Sequence, residues 1–199
     1  MPVRECRMHQ KLKKNGLSFD AEITWWPIPI MTKDEHGDEK VEIKDWPMLL
    51  PSALARSLTS ADLGEYLGPS GPECLQFWNT VLEDYDEESR QKHYCIDPDR
   101  AKCTRPIALY GDEGTVLSES TMYYNWSPEL SMYRTNSWLS RFFITLMPSG
   151  CYVYHGGVNV TIQAINNVIT RDCNWLATSG ITVGAEAGCS NHKVLWKPV

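Results

Sequence analysis

The chain has 199 residues, of which 42% are hydrophobic and 22% charged, and its formal net charge is −6. These proportions are typical of a folded globular protein, and the net acidity disfavours nucleic-acid binding as the principal role. No apolar run approaches the roughly 18 residues that a membrane-spanning helix needs, so we expect no membrane partner. The basic N-terminus lacks the apolar core of a signal peptide, which indicates a cytoplasmic or nuclear location.

Residues 1–45 are predicted to be an irregular arm followed by an acidic loop. Residues 1–14 carry a net charge of +4, which would suit phosphate if nucleic acid is a partner, although a solvated terminus is the simpler interpretation. The stretch "ITWWPIPIM" contains two prolines and predicts an extended edge or a packing arm. The following "KDEHGDEK" is typical of an exposed loop.

Residues 46–103 are predicted to be a helical segment. Ser52, which follows Pro51, is expected to cap the first helix. A second helix is expected from Glu73, because apolar residues recur there at helical spacing: Cys74, Phe77, Trp78, Val81, Leu82 and Tyr85. The stretch "CIDPDRAKCT" then predicts a loop.

Residues 104–199 are predicted to be an α/β sheet domain. Strands are expected at 106–110, 121–126 and 141–147, the last extending into "CYVYH". A helix ending near Gly180 should follow, and "ITVGAEAG" predicts a short closing strand. The fold class is therefore α/β of the α+β type, with a helical N-terminal part, a mixed and mainly antiparallel sheet, and one long helix packed on that sheet.

The stretch "RPIALYGDEGT" places two carboxylates, Asp112 and Glu113, directly after an apolar strand. Two carboxylates brought together from different strand ends can hold Mg²⁺ or Mn²⁺ for phosphodiester chemistry. Glu186 is the candidate for the second position, so Asp112 and Glu186 are the candidate metal ligands, and Asp112, Glu113 and Glu186 are the candidate catalytic residues. The alternative is a hairpin turn, in which Gly111 and Gly114 supply positive φ angles.

Several segments resemble a known class of sequences. These are "WPMLLPSALARSL", "LQFWNTVLEDY", "CTRPIALYGDEGT" and "LSRFFITLMPSGCYV", followed by "NVTIQAINNVITRDCNWLATSGI". They resemble the repeat-derived open reading frames of dinoflagellate genomes, which are similar to transposon or retroelement proteins of RNase H-like type. The resemblance covers roughly residues 46 to 180 and implies a mobile-element ancestry, a truncated RNase H-like fold, and Asp112 as the counterpart of the element's first acid. A third acid would lie on a later helix that this chain lacks, which implies a non-catalytic or vestigial domain.

A second class of function is a protein–protein interaction module without catalysis. Its binding surface would be the exposed "WWPIPIM" arm or an aromatic face of the sheet. The aromatic residues Tyr123, Tyr124 and Trp126 could also stack on nucleic-acid bases, although packing within the sheet is the simpler interpretation. His93, Cys95 and Cys103 carry zinc-ligand atoms but lack the two tight ligand pairs of a typical zinc site.

Overall fold

The computed structural model describes residues 21–61, 63–116, 118–130 and 141–181. They form an α+β fold of antiparallel sheets and helices, as predicted. The strands are β1 (Thr24–Lys33), β2 (Glu39–Met48), β3 (Ile107–Val116), β4 (Glu119–Pro128), β5 (Phe142–Pro148), β6 (Tyr154–His155) and β7 (Val158–Asn159). The helices are α1 (Pro51–Ser60), α2 (Pro72–Glu83), α3 (Glu87–Lys92), α4 (Pro98–Lys102) and α5 (Val160–Ser179), with short 3₁₀ turns at Gly64–Leu67, Tyr94–Ile96 and Ser149–Cys151.

The first strands form an antiparallel hairpin, β1–β2, in which Thr24 lies opposite Met48 and Lys33 opposite Glu39. The extended conformation of "WWPIPIM" is confirmed, but the prediction of an irregular arm and acidic loop is wrong for these strands. The connecting turn is built by Asp34, whose carboxylate accepts two backbone N–H groups, and by Gly37 at φ +87°. Positive φ favours glycine, so the turn residues define where the hairpin reverses.

Strand β2 was not predicted because its charged residues are typical of an exposed loop. Lys40 and Lys44 both form ion pairs with Glu42, at 2.9 and 2.7 Å, on one side of the strand. The hydrogen bonds from Lys44 and then Lys40 lower the pKa of Glu42 to about 2. A strand carrying alternating charges therefore pairs with β1 in a stretch that composition alone indicates is a loop.

Helix α1 begins two residues earlier than predicted, with Leu50 at the N-cap and Pro51 in the first turn. Ser52 does not cap this helix. Its backbone N–H and its hydroxyl both donate to the carboxylate of Asp172 on α5, at 2.9 and 2.5 Å. The carboxylate of a distant helix therefore satisfies an N–H group at the start of α1 and joins the two helices.

Asp172 makes the stability of this contact dependent on pH. Burial raises the pKa of Asp172 above its ordinary value of 3.8, against the opposing effect of the Ser52 hydrogen bonds. The folded state then holds the proton more tightly than the unfolded chain, so the free energy of unfolding falls as the pH rises above about 4. As the pH is raised above about 4, we expect the free energy of unfolding of the parent protein to fall relative to that of Asp172→Asn, as measured by urea unfolding at several pH values. An increase relative to Asp172→Asn would contradict a raised pKa for Asp172.

The helical segment after α1 has a small core of its own. The predicted helix from Glu73 is confirmed as α2, which buries Cys74, Trp78 and Leu82 but ends before Tyr85, the last residue of the predicted apolar face. Trp78 donates its indole N–H to the carbonyl of Thr104 at 2.8 Å, which ties α2 to the chain entering β3. The predicted loop after residue 94 instead contains a 3₁₀ turn and α4.

The main sheet has the strand order β3–β4–β5, with both pairs antiparallel and a bulge between Tyr124 and Asn125. All three predicted strands are present, and each is longer than its predicted range or shifted by one residue. The expected extension of the third strand into "CYVYH" is wrong, because Tyr154–His155 pairs with Val158–Asn159 in a separate hairpin.

Helix α5 confirms the second long helical prediction. Asn159 caps its start by accepting the N–H of Ile162 at 3.1 Å, and Gly180 follows its last residue at φ +69°. Its buried positions lie on one stripe: Thr161, Ile165, Ile169, Cys173 and Leu176. The strand predicted at "ITVGAEAG" lies almost wholly outside the described residues, so the RNase H-like assignment stays a prediction.

One hydrophobic core joins the hairpin, α1, the main sheet and α5. At its centre Thr161, fully buried, donates its hydroxyl to the carbonyl of Pro29 at 2.7 Å and accepts the N–H of Val153 at 2.9 Å. Near the open end of the hairpin, Trp46 donates to the carbonyl of Leu146 at 3.0 Å. The hairpin is therefore held at its middle and near its open end. None of the described helices combines the length and the apolar character needed to cross a membrane.

Candidate functional site

Asp112 and Glu113 lie in the middle of β3, where the register sets them opposite Tyr123 and Met122 of β4. The predicted strand end at Tyr110 is therefore wrong, and so is the alternative of a hairpin turn. Neither carboxylate occupies a loop at the end of a strand.

The two glycines beside these acids make room for aromatic rings. A side chain at Gly114 would place its Cβ 3.2 Å from the ring of Tyr123, and one at Gly111 would lie 3.5 Å from the ring of Tyr124. Neither glycine has a positive φ angle. Both glycines therefore allow the Tyr123 and Tyr124 rings of β4 to pack closely on β3. This packing, and not the positive φ angles of a turn, accounts for the glycines of "GDEG".

Adjacent residues of a strand point to opposite faces, so Asp112 and Glu113 do not share a site. Glu113 accepts a hydrogen bond from the hydroxyl of Tyr152 at 3.1 Å. Burial, followed by this bond to Glu113, raises the pKa of Tyr152 to about 12. Glu113 is thus engaged with a tyrosine on one face while Asp112 is exposed on the other.

The predicted metal pair cannot be assembled from the described residues. Glu186 lies outside them, so its distance from Asp112, and with it the Mg²⁺ or Mn²⁺ site, stays a prediction. Across the described ranges, no three His, Cys, Asp or Glu side chains converge closely enough to hold a metal ion, and the zinc alternative at His93, Cys95 and Cys103 is not such a group.

The aromatic residues of β4 are divided between the two faces of the sheet. Trp126 is buried in the core, and Tyr124 packs against the same core. Tyr123 points the other way, on the face that also carries Tyr110 and Phe143. The predicted three-residue stacking cluster therefore does not form.

This second sheet face is partly covered by polar partners. The guanidinium of Arg141 lies over the ring of Tyr110, 5.5 Å from its centroid. The hydroxyl of Tyr110 donates to Glu129 at 3.2 Å and accepts from Ser127 at 3.4 Å. The tyrosine is thereby held against the sheet and is poorly placed to stack on a ligand.

The hairpin carries a larger apolar surface on the side facing away from the core. We call it the hairpin outer face, and it consists of five cross-strand pairs: Trp25–Pro47, Pro27–Asp45, Pro29–Ile43, Met31–Val41 and Lys33–Glu39. Ile43 is 72% exposed, Trp25 63% and Val41 55%. Seven of the ten side chains in these pairs are apolar, so the surface resembles the apolar centre of a protein interface.

The hairpin outer face has this composition because only alternate residues of β1 and β2 face the core. Ile28 and Ile30 are buried on the inner side, while the two prolines of β1 alternate with them and point outward. The sequence predicted that "WWPIPIM" is extended and exposed, but it did not predict the β2 half of the surface. The alternation of Val41 and Ile43 with charged residues is the pattern that could have indicated this second strand.

Strand addition to β1 is blocked along this part of the hairpin. Pro27 and Pro29 have no backbone N–H to donate, and the carbonyl of Pro29 is already bonded to Thr161. A partner therefore cannot extend the sheet of the hairpin at this part of β1.

No protein-family model, curated protein or solved structure matches this chain.

Proposed function

We propose that this chain is a non-catalytic protein-interaction domain whose binding surface is the hairpin outer face. The observation that carries the proposal is the exposure of Trp25, Val41 and Ile43 on one face of a hairpin that is bonded to α5 and β5. A mobile-element ancestry is compatible with this role and stays a prediction.

The energetics of the exposed side chains favour binding. Complete burial of a large apolar side chain contributes about 1.5–3 kcal/mol, and most of that is still to be gained for residues as exposed as Trp25 and Ile43. Tryptophan is also among the residues that most often dominate the binding energy of protein interfaces.

The rigidity of the hairpin supports the same role. The middle of β1 is bonded to α5 through the carbonyl of Pro29 and the hydroxyl of Thr161, and the open end of the hairpin is bonded to β5 through Trp46 and Leu146. Because the surface is already ordered, the hairpin loses little conformational entropy when a partner binds it.

Site-specific crosslinking tests the proposal. A photo-crosslinking amino acid in place of Ile43 is expected to give protein adducts in the source cells, whereas the same amino acid in place of Asn167, exposed on α5, is expected to give none. Trp25→Ala in the Ile43-substituted chain should weaken binding at least about tenfold and lower the adduct yield, because truncating an interface tryptophan typically costs about 2 kcal/mol or more.

Equal adduct yields from the two positions would show that the hairpin outer face has no special role. An adduct at position 43 that Trp25→Ala leaves unchanged would also contradict the proposal, because binding would then be independent of the exposed tryptophan of the hairpin outer face.

A further inference from the structure

We propose that the partner of the hairpin outer face is the same face of a second copy of this chain, giving a symmetric dimer. This inference rests on the proposed function, and it adds the identity of the partner and the relative orientation of the two copies.

The register of the hairpin makes its outer face self-complementary. Consider two copies packed face to face about a two-fold axis that runs parallel to the strands. This operation keeps the position along the hairpin and exchanges the strands, so β1 of one copy lies over β2 of the other. Each residue then faces the partner's copy of its own cross-strand neighbour.

The chemistry of the pairs matches this arrangement at both ends. Lys33 meets the partner's Glu39, and Glu39 meets the partner's Lys33, which creates two ion pairs at one edge of the contact. At the other end, the indole of Trp25 lies on the partner's Pro47. The alternative two-fold axis, across the strands, would place Trp25 over the partner's Lys33 and Pro47 over the partner's Glu39, with no partner of opposite charge for Lys33 or Glu39.

The middle of the contact is apolar apart from one row. Ile43 faces the partner's Pro29, and Met31 faces the partner's Val41. Asp45, opposite Pro27, is the one charged residue between the two ends of the hairpin outer face, and it limits the affinity because its carboxylate gains no counter-charge there.

The blocked edge and the size of the hairpin fix the kind of dimer. Because the prolines of β1 prevent sheet pairing through that edge, and the exposed apolar side chains lie on the outer face, the dimer that buries them is face to face. Ten residues per strand at about 3.3 Å each make a face about 33 Å long and two strands wide. At about 10 Å across, this is about 330 Å² of face per copy, below the roughly 800 Å² per partner of a standard interface, so we expect a weak, reversible dimer with a dissociation constant well above about 1 μM.

Charge exchange between copies tests the arrangement, with sedimentation equilibrium as the measurement. Lys33→Glu and Glu39→Lys should each raise the dissociation constant about tenfold or more, because each creates two like-charge contacts in its homodimer. An equimolar mixture of the two variants should associate about as tightly as the parent chain, since every contact between them again joins opposite charges. The double variant K33E/E39K should do the same.

The mixture separates contacts between copies from damage within each hairpin, because mixing cannot repair a hairpin weakened by its own substitution. Lys92→Glu, which inverts a surface charge on α3, is the matched control and should leave the dissociation constant unchanged. Ile43→Asp should abolish association, and Asp45→Asn should strengthen it.

A parent chain that stays monomeric at high concentration, or a mixture that associates no better than either variant alone, would overturn the dimer. If position 43 still crosslinks to a different protein in that case, the proposed interaction domain survives and only its partner is wrong. If position 43 gives no adducts, both proposals fail.

Discussion

Trp126→Ala is expected to lower the free energy of unfolding by about 3–5 kcal/mol. Trp126 is 1% exposed and is the largest fully buried side chain in the described part of the chain. Its ring lies 4.8 Å from that of Phe142, and its removal would leave a cavity between the main sheet and the rest of the core. Urea unfolding followed by circular dichroism gives the free energy directly.

Trp126→Phe is the matched control for the polar part of this side chain. The indole nitrogen of Trp126 has no hydrogen-bond partner among the described residues, so replacing it should remove no bond. We expect a loss clearly smaller than that of the alanine variant, arising from the smaller ring alone. A loss as large as that of Trp126→Ala would show that the indole N–H is bonded in the folded protein.

Thr161→Val is expected to lower the free energy of unfolding by about 2–5 kcal/mol, although valine has nearly the same shape as threonine. The change leaves the N–H of Val153 without its partner and removes the donor to the carbonyl of Pro29, and each unsatisfied buried group costs about 1–3 kcal/mol. Thermal and urea unfolding measure the loss. Relative to the parent protein, amide hydrogen exchange in the variant should increase more in β1 than in β4.

Thr161→Ser keeps the hydroxyl and removes only a methyl group, so it should cost about 1 kcal/mol. Similar losses for the serine and valine variants would mean that packing, and not the two hydrogen bonds, attaches the hairpin to α5.

Local periodicity was sufficient to predict the long helices. In α5 the buried Ile165, Ile169 and Cys173 recur every four residues, and the caps at Asn159 and Gly180 are encoded next to the helix ends. In such elements, the residues that decide the structure are close in sequence. The three strands of the main sheet were found for a similar reason, since each contains an apolar run.

The failures of prediction occur where a distant residue decides the local structure. "GDEG" has the composition of a turn, but it pairs with β4 in an extended conformation, and rings from β4 cover its glycines. Ser52 has the position of a helix cap, but its hydroxyl is bonded to Asp172, 120 residues later. Neither partner can be identified from the neighbouring sequence.

The candidate surface was half predictable for the same reason. Trp25 and the prolines of β1 indicated an exposed extended segment, whereas the contribution of Val41 and Ile43 depends on the hairpin register. These two residues point to solvent, which inverts the usual relation between alternating apolar residues and burial.

The long-range bonds of the hairpin and α1 also determine when these elements can become stable during synthesis. Thr161 follows Pro29 by 132 residues in the chain, and Leu146 follows Trp46 by 100 residues. The first third of the protein therefore leaves the ribosome before its packing partners exist. The inner side of the hairpin, with Ile28 and Ile30, therefore stays exposed and prone to aggregation until α5 has been made.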